Sequence, residues 1–70
     1  MLPLIYAQPN ELNVIKKVGG KPEIRKHLED MGFVTGALIS VVSVVNGSLI
    51  VNVKDTKVAL DKELASGIMI

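Results

Sequence analysis

Seventy residues leave room for one small domain and exclude a two-domain enzyme, because a single core of this length is already near the lower limit for independent folding. Hydrophobic residues make up 49% of the chain but aromatics only 3%, a single Tyr6 and a single Phe33, so the core must be aliphatic. Eight Lys plus Arg against seven Asp plus Glu give a net charge of +1, too little for a strong field toward nucleic acid or anionic lipid, and the lack of cysteine excludes disulfides, thiolate metal sites and cysteine nucleophiles.

The first residues, Met1-Leu2-Pro3-Leu4-Ile5-Tyr6, offer neither a basic leader nor a long apolar stretch, so no secretory signal is expected and the chain reads as cytoplasmic. Pro3 and Pro9 confine residues 1–10 to an edge position or leave them mobile. Glu11 to Val18 carries Leu12, Val14, Ile15 and Val18 in imperfect alternation, which predicts one strand ended by Gly19-Gly20. From Lys21 to Met31 the period changes. Pro22 suits the first helical position, Glu23 the positive end of the helix dipole, and Ile24, Leu28 and Met31 recur at i, i+4 and i+7, the pattern of a helix of about three turns. Gly32, directly after the last apolar residue, is the expected left-handed cap, and Gly36 marks the turn into the next element.

Met31 to Val53 is a run of 23 residues without a charge, nominally long enough to cross a bilayer. Nine of those positions are Gly, Ser, Thr or Asn, too many for a spanning helix, and the centre is Asn46-Gly47, the pair that favours the positive φ of a type I′ hairpin turn. The run therefore predicts a long hairpin, with Ala37 to Val45 apolar on both faces and Ser48 to Lys54 alternating. Asp55-Thr56 is the expected tight turn, Lys57 to Leu60 a further strand, Asp61 the N-cap of a single helical turn through Ala65, and Ile68 to Ile70 a last short strand. So few short strands cannot bury a flat sheet on both faces. The expected fold is mainly β, a small SH3-like barrel with one short α-helix and one helical turn, forming a single domain over residues 1–70.

Little in the chain serves catalysis. There is one His, no dinucleotide-binding or P-loop motif, and Gly19-Gly20-Lys21 runs into Pro22, which lacks the backbone donor a phosphate would want. Neither enzymatic activity nor a tightly bound cofactor is expected. His27 is the one candidate metal ligand, with Glu23 at i−4 and Asp30 at i+3 on its helix face, a set suited to weak binding of Fe(II) or another divalent ion; the competing assignment is a plain exposed residue. Between Lys16 and Asp30 five cations stand against three anions, a weakly basic face. Arg25 and Lys26 on that face, with the Phe33-Val34 shoulder behind the helix, make a candidate protein-contact surface, although Phe33 fits a core position as well. Only Tyr6 and Phe33 could stack on bases, so no nucleic-acid partner is expected.

The segment His27 to Val42 (helix end, Met31-Gly32-Phe33, then Gly36 opening a Val-rich strand) resembles the signature of the bacterial ferrous iron transport protein A (FeoA) family. Lys57 to Ile70, with its Ala59-Leu60 pair, helical turn and final aliphatic strand, is similar to the family's closing segment. The likeness covers about Glu11 to Ile70, with Thr35 where the family often has Pro and a tight Asn46-Gly47 hairpin where it often has a longer connection. What the resemblance implies is an SH3-like barrel that assists Fe(II) uptake by a GTPase-bearing membrane transporter, ferrous iron transport protein B, reaching the membrane only through that partner. A similar domain closes metal-dependent repressors of the DtxR type, which makes a metal-responsive divalent-cation-binding domain the alternative expectation.

Overall fold

The computed structural model describes residues 1–70. A 3-10 turn over Leu4–Tyr6 is followed by β1 (Asn13–Val14), β2 (Lys17–Val18), α1 (Pro22–Asp30), β3 (Leu38–Val45), β4 (Ser48–Val53), β5 (Thr56–Leu60), α2 (Lys62–Ser66) and β6 (Ile68–Met69). One antiparallel sheet runs β1-β3-β4-β5 and a second pairs β2 with β6, so the molecule is mainly β with two helices, as its patterning predicts. The sheets do not close into one hydrogen-bonded ring. They share a core of thirteen buried hydrophobic residues in which Phe33 is the only aromatic. No helix is long and apolar enough to cross a membrane.

The hairpin forms at Asn46-Gly47, whose φ values of 50° and 83° are those the turn demands. The doubly apolar character of β3 has a local cause. Its register against β4 shifts between Val41 and Ser43, leaving Val42 as the extra residue of a bulge, so Ile39 and Val41 face the core before it and Val44 lies opposite Leu49 after it.

Two features depart from expectation. The single strand anticipated over Glu11 to Val18 is two, because the chain turns a corner at Ile15 and changes sheet. The Ile15 N–H donates to the Ala37 carbonyl at 2.9 Å, the Ile15 carbonyl accepts from the Gly36 N–H at 2.8 Å, and the Lys16 N–H donates to Met69 in the other sheet at 2.8 Å. Adjacent Val14 and Ile15, which spoil the alternation, are this corner, one pointing outward and the other fully buried. The second turn lies at Lys54-Asp55, one residue earlier than anticipated. Pairing Val53 with Thr56 puts Val53 and Leu60 on the core side, and that register leaves two loop residues with φ of 51° and 61°. Residues 1–10, expected at an edge or mobile, run along an edge. Leu2 and Ile70 exchange backbone hydrogen bonds of 2.9 and 2.8 Å, Pro3 bridges Met69, Pro9 bridges Val41, and Leu4 is fully buried.

Helix α1 starts at Pro22 and ends through Met31 into Gly32, where φ is +101°. The Phe33 N–H donates to the Leu28 carbonyl at 3.0 Å and the Gly32 N–H to the Glu29 carbonyl at 2.9 Å. This is the bond pair of a Schellman cap, with buried Leu28 and Phe33 as its apolar contact. Helix α2 begins where Asp61 was expected to cap it, the carboxylate accepting from the Leu64 N–H at 2.8 Å.

Candidate functional site

Helix α1, strand β2 and the loop after Gly32 enclose a shallow groove of about 370 Å³ lined by Lys17, Val18, Arg25, Glu29, Val34 and Thr35. Each wall is fixed by backbone chemistry. Lys17 is placed by pairing of β2 with β6 opposite Met69, Arg25 and Glu29 stand one turn apart on α1, and Val34 is held by its N–H donating to Gly32 at 3.0 Å and its carbonyl accepting from Ala37 at 3.0 Å. Val34 is half-buried yet does not belong to the side chains packed on the core, so its apolar surface is turned to the groove rather than inward.

The charges of the groove are exposed. Arg25 Nε lies 3.8 Å from Glu29 Oε1, with the two side chains 51% and 49% exposed, an ion pair worth at most about 1 kcal/mol. Arg25 can therefore leave Glu29 for a better-placed carboxylate at little cost. With Lys17 beside it, the groove carries two cations against one anion, a threonine hydroxyl and two aliphatic side chains. The lining contains no His or Cys, and none of its polar side chains is buried.

Of the residues singled out from the sequence for protein contact, Arg25 and Val34 come together in this groove, while Lys26 is exposed on α1 outside its lining. Phe33 must be withdrawn from the contact surface. It is fully buried, because the Schellman geometry that frees Gly32 to reverse the chain turns the next side chain inward onto Leu28. The ligand set of Glu23, His27 and Asp30 is also not assembled. All three are exposed, and the structure contains no group of three or more His, Cys, Asp or Glu side chains placed to hold a metal ion. Helical spacing makes them neighbours, but convergence needs a donor from a second element.

Gly32 and Gly36 occupy left-handed positions at φ of 101° and 92°. Lys17, Val18, Glu29 and Thr35 were not singled out from the sequence. Lys17 was visible only as one of five cations in the basic stretch, and the approach of β2 to α1 depends on the chain's change of sheet at Ile15.

Compared with known proteins, residues 2–70 match the family model described as the FeoA domain. The whole chain is 30% identical to the "Putative Fe(2+) transport protein A" of Methanocaldococcus jannaschii, covering 85% of that protein. Among solved structures, an iron uptake regulatory protein (FeoA) superposes with a TM-score of 0.87 at 29% identity, over 97% of this chain and 90% of that one. The FeoA protein of Stenotrophomonas maltophilia, solved with zinc and described as a procaryotic SH3 domain protein, gives a TM-score of 0.85 at 23% identity, over 99% and 88% of the two chains.

Proposed function

The chain belongs to the FeoA family and has its SH3-like fold, which carries a role in Fe(2+) transport, and from that premise we propose that it is a non-enzymatic cytoplasmic accessory protein that docks on the cytosolic part of a GTPase-type Fe(II) transporter. Fe(II) is the partner's cargo. The observation that supports the reading is the groove between α1 and β2, where Lys17 and Arg25 flank Val34 and Thr35 with nothing catalytic among them. A surface of that composition recognises a protein segment through one or two charge-assisted hydrogen bonds and a small apolar contact. The groove does not suit a Pro-rich ligand, since no aromatic residue lines it.

The test is ferrous uptake by anaerobic, iron-poor cells lacking the gene. Uptake falls without it, is restored by the wild-type chain, and is not restored by Lys17→Glu/Arg25→Glu. Unimpaired uptake in the deletion strain would overturn the role, and full rescue by the double variant would overturn the groove. The metal-responsive alternative has no assembled ligand set to support it.

A further inference from the structure

The outer face of the four-stranded sheet shares no lining residue with the groove at α1, and its composition is set by strand register. Val14 lies opposite Leu38, and Ser40 opposite Asn52, which in turn lies opposite Lys57 on β5. Leu12, just before β1, lines the same face with Leu38. Three adjacent aliphatic side chains thus form one flank, with Leu12 64%, Val14 44% and Leu38 53% exposed. Ser40 and Asn52 form the floor, and Lys54 and Lys57 the far flank. A groove of about 340 Å³ runs between the flanks, lined by Leu12, Ala37, Leu38, Ser40, Asn52, Lys54 and Asp55.

We propose that this face is a second docking surface, whose occupant is an amphipathic acidic segment of another protein, aliphatic along one side and carboxylate-bearing along the other. Charge selects the partner. The strands β1 to β5 contain no Asp or Glu; Lys54 and Asp55 line the groove and Lys57 stands beside it opposite Asn52, so two cations face one anion there. The floor adds to this: the Ser40 and Asn52 side chains make no hydrogen bond within the chain, so a hydroxyl and an amide N–H there can donate to carboxylates of the occupant. An anionic bilayer is a poorer match, because polybasic membrane sites use about four to eight Lys or Arg where this face has two. A second copy meeting it face to face would set the same two cations against each other. The proposal goes beyond the transporter-docking reading and does not depend on it.

The test is an amide NMR titration of the intact 70-residue chain with a synthetic helical peptide of Leu on one face and Glu on the other, about 15 residues long to match the 23–27 Å span of the domain. The expected result is saturable shifts at Leu12, Leu38, Ser40, Asn52 and Lys54, weakening as salt rises. Leu38→Ser lowers affinity about tenfold, the effect of losing a half-exposed leucine's burial in the contact. Lys57→Glu, a change on an exposed edge that leaves the core untouched, lowers it several-fold and flattens the salt dependence. The proposal is overturned by no saturable shift, by equal binding of the peptide with Gln in place of Glu, by shifts confined to Lys17, Arg25 and Val34, by equal affinity for vesicles of phosphatidylglycerol, or by the same residues shifting with protein concentration alone.

Discussion

Replacing Gly32 by alanine isolates the device on which the helix end depends. The residue sits at φ +101°, and an added Cβ would lie 3.3 Å from Lys54 Cδ, with Cε and Cγ at 3.7 and 3.9 Å. Two effects are therefore combined. The left-handed backbone costs an L-residue about 1–2 kcal/mol. The contact with Lys54 needs only a few tenths of an ångström of movement from a flexible, exposed side chain and adds little. Gly20 separates them, because it has the same φ of +101° and nothing within 4 Å of its Cβ position. Both alanine variants should lose about 1–2 kcal/mol in urea unfolding and about 5–15 °C in Tm, the conversion usual for a domain of this size. Lys54→Ala added to Gly32→Ala should recover no more than a small part of the loss, while Gly32→Val should lose more than Gly32→Ala because branching adds strain. An unchanged Tm for Gly32→Ala, or complete rescue by Lys54→Ala, would refute the backbone account of the cap.

Other expectations follow from single contacts. Leu4→Ala, which empties a fully buried position supplied by the N-terminal segment, should destabilise by about 2–5 kcal/mol in urea unfolding, and a loss below about 1 kcal/mol would mean that the segment is not part of the cooperative core. Asp61→Ala removes the acceptor for the Leu64 N–H and should lose about 1 kcal/mol with an unchanged urea m-value. Lys17→Glu and Arg25→Glu change exposed groups and should leave stability within about 0.5 kcal/mol while abolishing retention by the transporter's cytosolic domain, measured side by side by thermal melting and calorimetry. His27→Ala should leave any affinity for Fe(II), Mn(II) or Zn(II) unchanged in calorimetry, since Glu23, His27 and Asp30 form no ligand cluster.

How far the chain could be read before its structure depends on how local each cause is. The Asn46-Gly47 turn, the Gly32 cap and the Asp61 cap are each settled within a few residues by φ preference or a single side-chain acceptor, and all three stand where the residues indicate. The corner at Ile15 is different in kind. Val14 and Ile15 point opposite ways because each meets a different sheet, and those partners, Leu38, Ala37 and the β6 strand, lie more than twenty residues downstream. The bulge at Val42 was visible only as excess apolarity, and the shift of the second turn to Lys54-Asp55 follows from cross-strand register, which overrides the local preference for a non-lysine turn. The candidate site shows the same division. Arg25 and Val34 are legible from a basic helix face and an apolar shoulder, whereas Phe33 fits either that shoulder or the core until the cap geometry turns it inward, and Lys17 and Thr35 enter the groove only where β2 and the loop after Gly32 approach α1.

The α1–β2 groove is proposed as the surface through which this FeoA-family chain meets its transporter. Its most direct test is an amide NMR titration of the intact chain with the isolated cytosolic domain of the GTPase-type Fe(II) transporter. Saturable shifts centred on Lys17, Arg25, Val34 and Thr35 are expected, lost in Lys17→Glu/Arg25→Glu. Saturable binding whose shifts leave those four amides unmoved, or no binding at all at millimolar concentrations, would contradict it.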